Sequence, residues 1–198
     1  MQQTVHPSIL QAAADFCWAA QRAFNLHIQT NMGGNISIRI GPDRYLTKPT
    51  GVGLAECTIA NLVPVDAAGT PLDGHAAPTK EIQVHLALFA ARPDIHAIVH
   101  YHAPHATAYA NCNMTIPLKT LHARRMLKKI PVVPELPEGS PSLSKAVVAA
   151  FADPEVVGLL MVNHGMITIG PSLRRAQYMA ELMEETARTQ LLATLLTP

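Results

Sequence analysis

The sequence predicts an α/β layered domain, a sheet covered by helices, and three observations carry that expectation. Apolar residues recur at three and four in some segments and at two in others, and the two kinds of segment alternate along the chain. No internal repeat, low-complexity tract or linker interrupts them. Of the 198 residues 48% are hydrophobic and 15% charged, so residues 1–198 read as one domain with a sizeable core rather than a disordered chain.

In order, Ile9, Ala13, Phe16, Ala20 and Phe24 mark an amphipathic helix over Ser8 to Phe24. Ile36, Ile38 and Ile40 alternate with Ser37 and Arg39, a half-buried strand closed by the turn Gly41-Pro42-Asp43. Tyr45 to Thr47 returns as its hairpin partner. Leu54 to Asn61 reads as a short helix, Leu62 to Val65 as a short strand, and Ala68 to Pro78 as a loop rich in Gly and Pro. Thr79 stands as N-cap to a helix carrying Ile82, His85, Leu86 and Phe89 on one face and stopping before Pro93. Ile95 to His102 is a strand, and Pro104 to Ala110 starts another helix. Ile130 to Val133 is a short strand and Pro141 to Ala152 is helical. Val156 to Val162 and Met166 to Ile169 are strands around Asn163-His164-Gly165, and Ser172 caps a long last helix.

Composition narrows the function. Fifteen Lys and Arg against fourteen Asp and Glu give a net charge of +1, and the one basic cluster is Arg124, Arg125, Lys128 and Lys129. A nucleic-acid partner is therefore not expected. Nor is a membrane. Met1 to Leu10 lacks the features of a secretory signal, and the apolar run Val156 to Ile169 is broken by Asn163, His164 and Gly165 and too short to span a bilayer. Three well-separated cysteines (Cys17, Cys57, Cys112) read as reduced thiols in a cytoplasmic protein.

Ten histidines stand out. His100 and His102 lie two apart on a strand, so their rings share a face and can converge on one cation. His164 sits in a tight turn beside a glycine whose backbone freedom can aim the ring inward. Three neutral imidazoles leave open positions on a divalent metal, as catalytic sites do, and suit Zn first, with Mn, Co or Ni also accommodated. The plainer alternative is two polar residues on a strand face and a turn histidine. His96 and His105 flank the pair, as supporting partners or as ordinary core and surface residues, and His85 reads as packing. Glu81, in the first turn of its helix, either complements the helix dipole or, beside a metal, serves as general acid/base. Three polar loops, Gly33-Gly34-Asn35, Pro49-Thr50-Gly51 and Thr79-Lys80, offer backbone N–H groups to an anion or are simply turns. Nothing matches a nucleotide-binding fingerprint.

The order of these pieces resembles the class II aldolase/adducin family. It runs Gly34-Asn35-Ile36-Ser37-x-Arg39, Thr47-x-Pro49-Thr50-Gly51, Pro78-Thr79-Lys80-Glu81, Val99-His100-x-His102-x-x-His105 and Asn163-His164-Gly165. The resemblance implies a three-layer α/β/α fold with a mostly antiparallel central sheet, and a homotetramer with active sites between subunits. It implies a metal held by His100, His102 and His164, with Glu81 as acid/base and as a further ligand before substrate binds. Gly34, Asn35, Thr50, Gly51, Thr79 and Lys80 would line a phosphate pocket. The implied activity is cleavage of a C–C bond in a small keto-sugar phosphate through an enediolate. Aldol cleavage of the fuculose-1-phosphate type comes first, decarboxylation of a 3-oxo-tetronate 4-phosphate second, and 4-epimerisation or a non-catalytic adducin-like binding role after these. Lys80 stands where the aldolases carry serine and resembles the decarboxylases, whereas His100-Tyr101-His102-Ala103-Pro104-His105 is nearer the aldolases. The tyrosine that aldolases supply from a neighbouring subunit has no counterpart in Ile116 to Lys129, where His122 is either the nearest titratable substitute or simply an exposed loop histidine. With the chain stopping at Pro198, the tail that covers the site in some members is expected to be missing.

Overall fold

The computed structural model describes residues 8–72 and 74–196; the readings made of Met1–Pro7 and of the chain end at Pro198 lie outside them. The helices are α1 (Ile9–Asn25), α2 (Ile82–Ala91), α3 (Pro104–Asn111), α4 (Leu121–Leu127), α5 (Pro141–Ala150) and α6 (Leu173–Thr194). The strands are β1 (Asn35–Gly41), β2 (Arg44–Thr47), β3 (Val63–Asp66), β4 (Ala97–Tyr101), β5 (Val132–Val133), β6 (Gly158–Met161) and β7 (Gly165–Gly170). They form one sheet in the order β3-β2-β1-β4-β7-β6-β5, in which every pairing is antiparallel except β5 with β6.

The alternation of β4 divides the core. Ala97, Val99 and Tyr101 face a cluster built from α1, α3, α4 and α6, while Ile98 faces a second cluster with α2 and α5. The result is a three-layer α/β/α fold with a mostly antiparallel sheet. Burying a side chain such as Phe16 or Phe89, both almost wholly covered, contributes about 1.5–3 kcal/mol, so both faces of the sheet are firmly clad. Ser8, Ser140 and Ser172 each accept a backbone N–H at the start of α1, α5 and α6. Among the described residues no helix is long and apolar enough to cross a membrane.

Four local readings change. Leu54 to Asn61 is helical only over Leu54–Glu56, as one 3-10 turn, because Asn61 turns back to bond the Thr58 N–H and the Glu56 carbonyl. Thr79 is not the cap of α2: its N–H donates to the Lys48 carbonyl beside the Pro49–Pro78 bridge, which keeps it extended, and the helix begins after Glu81. The face of β1 that carries Ser37 is covered by α2, so Ser37 is buried rather than exposed to solvent. Between Ile116 and Lys129, where no element was expected, α4 forms behind a Thr120 cap and buries Ala123 and Leu127.

Candidate metal centre

β4 and the β6–β7 turn bring three imidazoles together. His100 pairs with Asn35 of β1 on one side and Ile167 of β7 on the other, which fixes its place in the sheet centre. His102 follows at the strand end. His164 rides the turn in which Asn163 takes the left-handed conformation, at φ 56°. Gly165 does not: its role is space, since a Cβ there would stand 2.5 Å from the Tyr101 carbonyl oxygen and 3.0 Å from the His102 ring.

One ring nitrogen from each of His100, His102 and His164 lies within 4.8 Å of the others. His100 Nδ1 stands 2.9 Å from the Met166 carbonyl oxygen, which assigns the proton to Nδ1 and leaves Nε2 a bare acceptor. That Nε2 faces His102 Nε2 at 3.1 Å and Glu81 Oε2 at 3.1 Å, while Glu81 Oε1 stands 3.4 Å from His164 Nε2. Acceptors this close, buried and aimed at one point, are stable only around a proton or a metal cation. Burial pushes the His100 ring down to about 4, the neighbouring Glu81 carboxylate opposing this, and the His102 ring is also lowered, chiefly by burial. The His100 and His102 rings are therefore neutral at pH 7, the form that ligates metal. The residues fit a divalent ion with three imidazole ligands and one carboxylate within reach.

Glu81 is 4% exposed. Burial alone would raise its carboxyl, but His100, His164 and the Asn35 side-chain bond together hold it below the usual carboxylate range. Asn35 Nδ2 donates to Glu81 Oε2 at 2.8 Å, and Asn35 Oδ1, buried, finds no partner among the described residues. Beneath them, Thr47 Oγ1 donates to the Ile36 carbonyl and accepts from Ser37 Oγ. The Ser37 oxygen is left to accept from His85 Nδ1, at 2.7 Å. The His85 Nε2 is buried and unbonded among the described residues.

Two cavities open on either side of His102. One, of about 300 Å³, is walled by Gly34, Asn35, Thr50, Gly51, Thr79 and Lys80, together with Lys48, Glu81 and Glu138. The three polar loops thus come together in space. The other, of about 450 Å³, is walled by Glu135, Glu138, Asn163 and His164, and Asn163 Nδ2 donates to Glu135 Oε2 at 2.6 Å. His122 joins neither cavity: it is exposed on α4, 3.5 Å from Arg125 Nη2. His105 turns away to Glu184, whose Oε1 lies 2.6 Å from its ring and whose two oxygens also accept the first N–H groups of α3.

Lys48, Glu135 and Glu138 were missed by sequence reasoning. Lys48 is buried, donates to the Met32 carbonyl at 2.6 Å, and burial lowers its ammonium. Its signal was a cation held between a strand end and Pro49. Glu135 and Glu138 carry no comparable signal in a Pro-rich loop.

The fold and the site define an α/β protein in which three histidines with the donor set of a metal site gather around one buried carboxylate. Residues 14–191 match the family model of the class II aldolase and adducin N-terminal domain, and the chain belongs to that family. It is 33% identical over 156 residues to an L-fuculose phosphate aldolase of Methanococcus maripaludis strain S2, covering 79% of this chain and 83% of that one. It is 32% identical over 162 residues to a 3-oxo-tetronate 4-phosphate decarboxylase of Haemophilus influenzae, covering 78% and 75%. Among solved structures, YgbL of Klebsiella pneumoniae, a putative aldolase/epimerase/decarboxylase, superposes with a TM-score of 0.83 at 30% identity over 96% of this chain and 91% of that one. These names support a lyase.

Proposed function

We propose that the chain is a divalent-metal lyase that cleaves a carbon–carbon bond of a small keto-sugar phosphate by aldol cleavage, with zinc as its ion and Mn, Co or Ni as substitutes. The single observation carrying this is the carboxylate of Glu81 set between His100 and His164, on the wall of a lysine-lined cavity that shares His102 with a second cavity. His100, His102 and His164 would hold the ion, with Glu81 as a further ligand until substrate arrives. When bound, the ion supplies Lewis acidity toward adjacent carbonyl and hydroxyl oxygens and offsets the negative charge that bond cleavage develops.

The chain's own groups do the rest. Lys48, Lys80 and the loop N–H groups at Gly34, Thr50 and Gly51 bind a phosphate. Glu81, buried and oriented by Asn35, gives a proton to the carbon beside the ketone as the bond breaks and, once ionised, takes one from that carbon in the reverse addition, while the proton of the departing hydroxyl goes to His122 of the neighbouring subunit. The departing fragment lies in the second cavity. A decarboxylase would place a substrate carboxylate there, against Glu135, which the lysine-lined cavity lacks, and like charges repel. An uncharged aldehyde fits, which favours aldol cleavage over decarboxylation. The protein works in the cytoplasm as a homotetramer, with His122 of a neighbouring subunit completing the site.

Elemental analysis of the purified chain tests the foundation. Near-stoichiometric metal is expected in the wild type and in Glu81→Gln, and none in His100→Ala, His102→Ala. With keto-sugar phosphates, Glu81→Gln should lose about 10²–10⁴ in kcat for aldehyde release. Wild-type protein that holds no metal after incubation with these ions overturns the reading in favour of a binding module.

A further inference from the structure

The segment between α1 and β1 contains a buried carboxamide that touches both halves of this site. Gln29, 3% exposed, accepts the backbone N–H of His102 through Oε1 at 2.7 Å and donates from Nε2 to Asn31 Oδ1 at 2.9 Å. Asn31 Oδ1 also accepts the Gly33 N–H at 2.8 Å. One side chain therefore bonds the backbone of a triad residue and, through Asn31, the glycine loop that walls the lysine-lined cavity.

The loop also lies directly on the triad. A Cβ at Gly33 would stand 2.6 Å from His102 Nδ1. At Gly34, whose φ is +66°, it would stand 2.7 Å from Gln29 Oε1 and 2.9 Å from the His100 carbonyl oxygen. Only hydrogen atoms separate the loop from the His102 ring and from Gln29. A loop displaced by more than a few tenths of an ångström must move one of them.

We propose that Gln29 is a positioning residue that couples phosphate in the glycine-loop cavity to metal affinity at the His triad. This rests on the reading above, that the triad takes the metal and the loop takes phosphate. A phosphate bonded to the loop N–H groups holds Gly33 against His102. Through Asn31 and Gln29, the same loop position fixes the His102 backbone. By linkage, the factor by which phosphate tightens metal equals the factor by which metal tightens phosphate. The carboxamide is required because it uses an acceptor toward β4 and a donor toward the loop at once. Glutamate has the same shape, but when ionised it has only acceptors. It would repel Asn31 Oδ1 or turn the Asn31 amide over, and either change releases the Gly33 N–H.

The test measures the Co²⁺ dissociation constant of the full chain, with and without saturating methyl phosphate, in the wild type, Gln29→Glu and Asn31→Ala. Asn31 is exposed, so its truncation does not threaten folding even where the buried Gln29→Glu change does. Methyl phosphate should tighten Co²⁺ in the wild type by about tenfold, a typical coupling between two sites. Asn31→Ala should bind Co²⁺ alone as the wild type does, with the tightening cut to about twofold, the direct attraction of cation and anion that remains. Gln29→Glu should show the same cut. A merely structural Gln29 or Asn31 would change both affinities and leave their ratio alone. Wild-type tightening retained in Asn31→Ala overturns the coupling while leaving the proposed activity standing. Failure of Co²⁺ or of methyl phosphate to bind the wild type overturns the site reading, and the coupling with it.

Discussion

At the scale of single residues, the site is a problem of protons as much as of metal. His85 lies one helical turn beyond Glu81, wholly buried, its Nδ1–H given to Ser37 and its Nε2 bonded to nothing among the described residues. Burial, opposed by Glu81 and reinforced by His100, drives the ring down to about 4. The unfolded chain takes up that proton near 6.5. Between these values the unfolded state binds more protons than the folded one, so stability falls as the pH drops from 6.5 toward 4. One such ring accounts for about 3 kcal/mol across the window, and His100, lowered to about 4 in the same direction, for a similar share. Glu81 acts in a separate window. Its folded carboxyl is depressed, so its contribution is lost only as the pH falls below the ordinary carboxylate range. Urea midpoints of the metal-free protein at pH 7 and pH 4.5 check this. The wild type should lose several kcal/mol, and His85→Asn, which keeps a donor toward Ser37, about half as much. An unchanged pH dependence in His85→Asn would assign the acid sensitivity elsewhere.

Among the elements, the β6–β7 turn carries the site's tightest tolerance, and it shows what a sequence can and cannot display. Gly165 was expected to supply backbone freedom, but that freedom is used by Asn163, and Gly165 instead lets Tyr101 and His102 approach. Gly165→Ala should cost about 1–3 kcal/mol of stability from overpacking, read from the urea midpoint, with metal affinity weakened about tenfold or more as His102 is pushed aside. A variant that binds metal as the wild type does would show that the turn yields freely. Spacing made β4 and the long helices readable, because period-2 and period-3.6 patterns are local. The pairing of His100 with Asn35 and Ile167 was not readable, since register across the sheet depends on residues far apart in sequence. The start of α2 was misplaced for the same reason: Lys48 reaches across from another segment to hold Thr79 extended. Helix α4, only seven residues long with two arginines, has too little apolar pattern to announce itself.

On the scale of the whole molecule, the sheet gathers three histidines, Glu81 and two cavities at one end of its central strands, and the proposed activity has one chemical need that they leave unmet. Aldol cleavage asks for a proton donor or acceptor at the departing oxygen besides Glu81, and no tyrosine lines either cavity. On α4, Leu121 is 79% exposed beside the exposed His122, and Leu195 and Leu196 are exposed after α6. Such apolar side chains suit contacts between copies of the chain better than open water. In the homotetramer proposed above, α4 of one subunit would reach the site of the next, and sedimentation should give four times the chain mass of 21.3 kDa. Two inactive variants then become informative together. His122→Ala should lose about 10²–10⁴ in kcat, and His100→Ala, His102→Ala should be inactive without metal. Dissociated and reassembled in equal amounts, they form mixed tetramers in which about a quarter of the sites combine an intact triad from one chain with an intact His122 from another. Activity recovered to about that fraction of wild type places the group that takes the departing hydroxyl's proton across the interface. Recovery absent from mixed tetramers of confirmed composition shows instead that each chain completes its own site, and wild-type kcat in His122→Ala alone would show that His122 is a surface residue of α4.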